Sequence, residues 1–158
     1  MINEHDIEAF KRFQPEDIMD DYAPNYYSKV REFRKAFGRP MDLSIVKPNL
    51  LPFWFCHRLI NEEFKELSLA FTNADGEMVR NSMISDETRE NILKEMCDLL
   101  YVIFDMAATF NLPIGEAFNR VHRSNMSKLG ADGKPVYRED GKVLKGPNYK
   151  EPNLKDLV

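Results

Sequence analysis

The stretch DETRENILKEMCDLLYVIFDMAATFN, residues 86–111, decides the fold of this chain. Between Met96 and Phe110 its apolar residues occupy nearly every side of a helix, which predicts a central helix. Such a helix must be buried by the other helices or by a second subunit. Asp86 is a good N-cap at its start, and Pro113, just beyond its end, opens a further helix.

The segments on either side of this stretch also have helical patterns and short connections. We expect helices over residues 25–37, 50–72 and about 113–129, with one more short helix in the first 23 residues. A loop is expected over residues 73–85, because Asp75-Gly76 is a turn signal. Several helices joined by short connections predict an all-α fold, a helical bundle. The C-terminal tail should be irregular, with a small hairpin around Asp140-Gly141.

Length and charge set the domain organisation and exclude several classes of protein. A chain of 158 residues with a net charge of −4 fits one domain, residues 1–158, and does not favour nucleic-acid binding. Residues 1–119 hold 13 Lys and Arg against 21 Asp and Glu, whereas residues 120–158 hold 9 against 5. The acidic part suits cations and the basic tail suits anions.

Targeting and membrane signals are not visible in the sequence. The first ten residues, MINEHDIEAF, lack a basic and an apolar region, and two cysteines do not make a disulfide framework. The longest apolar segment, residues 96–110, is interrupted by Asp98 and Asp105 and is shorter than the roughly 20 residues of a membrane span. We therefore expect a cytoplasmic protein that binds no membrane.

Two groups of carboxylates are the candidate functional residues. Glu62, Glu63 and Glu66 project within one wedge of their helix, and alone they are most simply a solvated acidic face. Glu95 and Asp98 are different, because they lie on the helix that is otherwise apolar all round. Carboxylates are almost never fully buried unless they are paired or bind a metal ion.

A divalent cation would relieve the repulsion within such a group. Asp105 continues the stripe of Asp98, while the nearby cations in the sequence are few, namely Lys65, Arg89 and Lys94. Oxygen ligands without His or Cys favour Mg²⁺ or Mn²⁺ over zinc. A di-iron bundle would need Glu-x-x-His pairs, and no Glu stands three residues before any of the three histidines.

The helix that begins near Pro113 offers a possible phosphate contact. Continuing its apolar stripe brings Asn125 and Lys128 to the same side of the helix. A lysine near a helix end can contact a phosphate or extend to solvent, and the pattern leaves both open.

The spacing of the carboxylates resembles the signature of the all-α nucleoside triphosphate pyrophosphohydrolases. The motif Glu62-Glu63-x-x-Glu66 is followed, after 28 residues, by Glu95-x-x-Asp98. It is similar to that of the MazG-like proteins and the related phosphoribosyl-ATP pyrophosphohydrolases. The resemblance covers about residues 51–129, and the tail is similar to the ending of some phage and bacterial members.

The resemblance implies a metal-dependent enzyme that forms homodimers or homotetramers. The residues that would hold Mg²⁺, with Mn²⁺ as a substitute, are Glu63, Glu66, Glu95 and Asp98. Glu62 would bind a second metal ion or orient the attacking water, so Glu62 and Glu63 are the catalytic candidates. The Asn-x-x-Lys position near the triphosphate corresponds to Asn125 and Lys128. The signature gives no role to Asp105.

The expected function is hydrolysis of a (deoxy)nucleoside triphosphate, a purine one such as dGTP or dATP by resemblance, to the monophosphate and pyrophosphate. Residues 24–129 would be the catalytic core, and residues 130–158 a basic tail near the site, with Lys145 as a phosphate contact. Trp54 and Tyr101 are candidates for stacking on the base. The alternatives are phosphoribosyl-ATP hydrolysis, a non-catalytic nucleotide- or metal-binding module, and a purely structural bundle.

Overall fold

Four α-helices form the fold in a computed structural model that describes residues 26–43 and 50–158. They are α1 (Tyr26–Ala36), α2 (Leu50–Asn81), α3 (Asp86–Thr109) and α4 (Ile114–Met126), followed by a 3-10 turn, Lys155–Leu157. Within these described ranges the β pairing consists of one isolated bridge, so the predicted all-α fold is confirmed. The short helix predicted in the first 23 residues lies outside the described residues.

α2 and α3 form an antiparallel pair that is the centre of the fold. Small residues on α2 lie against α3, and Cys56, Ala70 and Ala74 are each at most 3% exposed. The loop predicted over residues 73–85 is wrong, because α2 continues through Asp75-Gly76 to Asn81. A glycine inside a helix costs about 1 kcal/mol, and the burial of the alanines against α3 offsets that cost.

The turn between α2 and α3 is short and is fixed by side chains. The N-cap of α3 is Ser85 rather than the predicted Asp86, and its hydroxyl accepts a hydrogen bond from the Thr88 amide at 3.2 Å. Hydrogen bonds from Thr88 and Ser85 hold the pKa of the Glu77 carboxyl below its usual value. Glu77 lies on α2, so these contacts connect the end of one helix to the start of the next.

α1 packs across the C-terminal half of α3. Val30 is 1% exposed, and the ring of Phe33 meets that of Tyr101 edge-on at 5.7 Å. The helix predicted over residues 25–37 agrees with the observed bounds to within one residue at each end. Gly38, with φ of 62°, follows this helix in the left-handed conformation that favours glycine.

An abrupt bend separates α3 from α4. Asn111 adopts a φ of 52°, and the Leu112 amide donates to the Ala107 carbonyl at 2.9 Å, which closes α3. The axes of α3 and α4 are bent by 118° from each other. No single helix of the described residues has the length and apolarity to cross a membrane, although this bent pair meets those two criteria together.

The C-terminal tail packs back onto α4. The predicted hairpin is present in minimal form, since Gly141 has a φ of 83° and Tyr137 bridges to Val143. Further along, the Ser124 hydroxyl donates to the Lys150 carbonyl at 2.7 Å. The α4 helix ends at Met126, three residues before its predicted end near Leu129.

One face of the α2–α3 pair is apolar and open. Phe64 and Phe71 on α2 are 58% and 50% exposed, and Met96 and Leu100 on α3 are 45% and 51% exposed. The helices described in this chain therefore bury only part of α3. Burial of the rest of α3 by a second subunit, the alternative expected from the sequence, stays a prediction.

Candidate metal centre

Three carboxylates meet where α2 crosses the first half of α3. Glu63, Glu66 and Glu95 each offer one oxygen, and these oxygens all lie within 4.8 Å of one another. We call these three residues the carboxylate cluster. Glu63 and Glu66 are one turn apart on α2, and the close packing of Ala70 and Ala74 brings them to Glu95 on α3.

The electrostatics of the cluster disfavour three negative charges. Burial raises the pKa of the Glu63 carboxyl, and the charges of Glu66 and Asp98 raise it further. Glu95 is only 7% exposed. The cluster is therefore short of positive charge, which is the condition that a bound cation corrects.

Asp98 lies beside the cluster and shares a lysine with it. The Lys94 ammonium is 2.9 Å from Asp98 and 3.0 Å from Glu95, and these contacts raise the pKa of Lys94. Because the Lys94 side chain is 60% exposed, its ammonium can turn to solvent when the oxygens of Glu95 and Asp98 bind a cation. Four carboxylates with no His or Cys among them are a donor set that fits Mg²⁺ or Mn²⁺.

Glu62 stands apart from the cluster. Its side chain is 53% exposed and lies 3.7 Å from the Arg58 guanidinium. Glu62 therefore lies on the solvent side of α2 and is not one of the three carboxylates that meet.

Asp105 belongs to a separate ion-pair group. Its carboxylate is 2.6 Å from Arg34 and 3.5 Å from Arg39, and the side chains of Asp105 and Arg34 are 3% and 2% exposed. Neither arginine is predicted from the sequence as a neighbour of Asp105, because they come from α1 and the turn after it. Arg34 lies one helical turn after Val30 on the buried stripe of α1, and this spacing was the available signal.

Asn125 and Lys128 are not brought to the cluster within one chain. The Lys128 ammonium donates to Asn125 Oδ1 at 2.7 Å, at the far end of α4. Asn125 and Asp98 are each about 17 Å along a helix axis from the α3–α4 bend. With the bend of 118°, the two positions are separated by at least about 15 Å.

The other three predicted substrate contacts lie in different places. Lys145 is 3.7 Å from Glu151 and stacks on the Tyr149 ring in the tail. Tyr101 packs against α1, and burial followed by the charge of Asp105 raises its pKa. Trp54 is 60% exposed near the start of α2.

Trp54 borders a large cavity at the N-terminal part of α2. The cavity has a volume of about 1090 Å³ and lies between the end of α1, the first four turns of α2 and Thr109 of α3. Asn61 and Lys65 line it, whereas none of the carboxylates of the cluster does. At about 100° per residue, Asn61 and Lys65 each lie about 160° around α2 from Glu63. The volume of the cavity is that of a small-molecule site.

The fold and the cluster define a class of protein, the helical nucleotide pyrophosphohydrolases related to MazG. The family model described as phosphoribosyl-ATP pyrophosphohydrolase matches residues 30–125, which is more than half of the chain. The chain belongs to this family. No curated protein sequence matches it significantly.

A solved structure is also similar to this chain. It is that of a candidate NTP pyrophosphohydrolase from Exiguobacterium sp. 255-15, which is 22% identical. The match covers 82% of this chain and 89% of the other, with a TM-score of 0.39.

Proposed function

We propose that this protein is a Mg²⁺-dependent nucleoside triphosphate pyrophosphohydrolase whose centre is the carboxylate cluster. The observation that carries the proposal is that one oxygen each of Glu63, Glu66 and Glu95 lies within 4.8 Å of the others. Membership of a pyrophosphohydrolase family supports the same reaction class.

The metal ion would be held by the cluster together with Asp98. Lys94 contacts both Glu95 and Asp98, and it would leave these oxygens when the cation binds. Bound Mg²⁺ supplies positive charge that neutralises phosphate oxygens during the displacement. Mn²⁺ would substitute, because it accepts the same oxygen ligands.

The chain's own residues would position water and substrate. Glu62 is exposed beside the cluster, where its carboxylate can accept a proton from the water that attacks the α phosphorus. Phosphoryl-type transfer depends mainly on positioning and charge neutralisation, so no nucleophilic side chain is required. The products are a nucleoside monophosphate and pyrophosphate.

The nucleoside would occupy the cavity. Trp54 offers an exposed ring at its edge. Asn61 offers an amide oxygen that can accept a hydrogen bond, while its amide nitrogen donates to the His57 carbonyl at 3.0 Å. A large ring such as indole stacks well on a purine, which agrees with a purine deoxynucleotide as the substrate. Tyr101 is engaged with α1 and is a weaker candidate for this role.

The active form would be a homodimer or a pair of dimers. The open apolar face of the α2–α3 pair suits a second copy of the chain. Asn125 and Lys128 contact each other rather than the cluster of their own chain, and in such a dimer they would contact the triphosphate held by the partner subunit. The same holds for Lys145 in the tail.

Phosphoribosyl-ATP is the second candidate substrate. The family whose model matches residues 30–125 carries its name, and the reaction is the same cleavage between the α and β phosphates. A non-catalytic module that binds nucleotide or metal would also retain the cluster, but it would release no pyrophosphate.

Product analysis tests the proposal. The protein is incubated with Mg²⁺ and each ribo- and deoxynucleoside triphosphate, and the products are separated by ion-exchange chromatography. We expect a monophosphate and pyrophosphate, with the highest rate for a purine deoxynucleotide. Diphosphate with orthophosphate, or no turnover of this panel and of phosphoribosyl-ATP, would contradict it.

The matched variants for this experiment are Glu63→Gln and Glu90→Gln. Both remove one carboxylate, but Glu90 is an exposed residue of α3 that lies outside the cluster. Loss of a charged group at a reaction centre should lower kcat at least about 100-fold for Glu63→Gln, and Glu90→Gln should be unaffected.

A further inference from the structure

We propose that the cavity contains a second anion site, separate from the carboxylate cluster, which binds a phosphate group of the substrate. Its cationic residues are Arg34, Arg39, Arg58 and Lys65, all of which line the cavity. Its role in the reaction depends on the proposed function, but phosphate binding by these residues does not.

The inner wall of the cavity has more positive than negative charge. Arg34 and Arg39 share one carboxylate, that of Asp105, at 2.6 and 3.5 Å. Arg34 is 2% exposed and its Nε has no hydrogen-bond partner among the described residues. Asp105 Oδ2 also has no hydrogen-bond partner among the described residues, and the Arg39 side chain is 28% exposed. Among these residues two guanidinium groups share one carboxylate, which leaves one positive charge for a ligand.

On the α2 side of the cavity, Arg58 and Lys65 also have too few carboxylate partners among the described residues. Arg58 is 3.7 Å from Glu62, a distance too long for a strong hydrogen bond, and no ion pair of Lys65 exists among the described residues. The guanidinium groups of Arg39 and Arg58 both lie over the Phe55 ring, at 5.2 and 5.3 Å. Phe55 thereby holds the two groups in fixed positions at the cavity wall.

The lining is matched to a phosphate rather than to a cation. Among the described residues that line the cavity there is no Asp or Glu. Counting the described carboxylates that pair with the lining, Asp105 and Glu62, the part of the wall within residues 26–43 and 50–158 has an excess of two positive charges. Guanidinium groups bind phosphate oxygens in pairs and lose little hydration when they do so, so a phosphate dianion fits.

The cavity and the cluster lie at nearby heights on different faces of α2, so a substrate that contacts both extends around the helix. Arg58 precedes Glu63 by five residues, which is about 8 Å along the axis of α2. Two sources of the phosphate satisfy this distance. One is the terminal end of the triphosphate, in which case the nucleoside lies outside the cavity. The other is a second phosphate on the sugar or base of a substrate whose nucleoside occupies the cavity.

Binding of phosphate without metal tests the site. Inorganic phosphate and pyrophosphate are titrated calorimetrically into the full-length protein in EDTA, which removes any metal from the cluster. We expect wild type to bind pyrophosphate, and Arg58→Gln and Arg39→Gln each to weaken binding about tenfold. Absence of binding by wild type, or unchanged binding by both variants, overturns the proposal.

Arg89→Gln is the control for loss of a surface arginine. The Arg89 side chain is 71% exposed and pairs with Asp86 on its own helix, as Arg58 is 66% exposed and pairs with Glu62. It should bind pyrophosphate as wild type does, whereas equal weakening by this variant contradicts a specific site. Arg34 is not used, because its loss would also break a buried ion pair.

Kinetics with Mg²⁺ distinguish the two sources of the phosphate. If the cavity binds the end of the triphosphate, Arg58→Gln raises KM about tenfold for dATP and for phosphoribosyl-ATP alike. If it binds a second phosphate, KM rises only for phosphoribosyl-ATP. Unchanged KM for both substrates contradicts a role in substrate binding. If wild type turns over neither substrate but still binds pyrophosphate in EDTA, the proposed function is contradicted and the anion site is supported.

Discussion

Asp105 and Asp98 occupy the same stripe of α3 but have opposite surroundings. Asp105 is buried against Arg34 and Arg39, whereas Asp98 is 43% exposed and shares Lys94 with the cluster. A pattern of carboxylates on one helix thus contains a structural residue and a candidate ligand. The packing of α1, which brings Arg34 and Arg39 to Asp105 but not to Asp98, distinguishes the two roles.

Asp105→Ala should destabilise the fold strongly. It leaves two arginines without their carboxylate in a buried place, which costs about 3–5 kcal/mol and should lower Tm by roughly 6 °C or more. Thermal unfolding followed by circular dichroism measures this. Asp86→Ala, which breaks the exposed pair with Arg89, is the control and should change Tm little. Equal effects of the two variants would contradict the structural role of Asp105.

Glu63 should make the metal-free protein sensitive to pH. Its pKa is raised in the folded state, because burial and then the neighbouring carboxylates disfavour its charge. Protonation therefore favours folding: the stabilisation is complete below the ordinary pKa of a glutamate and is lost as pH rises through the raised value. We measure the free energy of unfolding by urea in EDTA for wild type and Glu63→Gln. As pH rises from the ordinary pKa of a glutamate through the raised pKa of Glu63, wild type should lose stability relative to the variant. A difference that does not depend on pH would contradict the shift.

At the scale of elements, α2 differs most from what its sequence predicts. Asp75-Gly76 is a turn signal in isolation, but it lies inside a helix of 32 residues. Contacts with α3 at Ala70 and Ala74, and the hydrogen bonds that connect Glu77 to Ser85 and Thr88, extend the helix past it. These contacts join α2 to residues of α3 and of the turn before it. The sequence pattern of α2 alone therefore does not predict them.

Gly76→Ala should therefore stabilise the protein. Its backbone is helical, and the added methyl would meet only the flexible end of Arg80, at 3.1 Å. We expect a gain of about 0.5–1 kcal/mol, or a Tm higher by roughly 1–4 °C. Gly133→Ala is the opposite case, because its φ of 75° strains an alanine. Destabilisation by Gly76→Ala would favour the predicted loop over the observed helix.

Periodicity located the helices, and the carboxylates of the cluster were all named from the sequence. The approach of Glu63 and Glu66 to Glu95 follows from two adjacent helical patterns joined by a short connection. The cations were not predictable in the same way. Arg34, Arg39 and Arg58 reach the cavity from separate elements, and only the packing of α1 on α3 brings the first two to Asp105.

At the scale of the whole molecule, the open face of the α2–α3 pair predicts an assembly. Leu100→Glu would place a charge in the proposed interface without changing a buried contact, since Leu100 is 51% exposed. Light scattering after size-exclusion chromatography should give a dimer or tetramer for wild type and a monomer for the variant. A monomeric wild type would contradict the proposed assembly and the contribution of Asn125 and Lys128 from a partner subunit.

Metal binding by the cluster is the central claim, and calorimetric titration of Mn²⁺ and Mg²⁺ into metal-free protein tests it most directly. The variants are Glu95→Gln in the cluster and Glu90→Gln, its exposed neighbour on α3. We predict binding to wild type and to Glu90→Gln, and at least about tenfold weaker binding to Glu95→Gln. Equal affinity in all three proteins, or no binding by wild type, would contradict the claim.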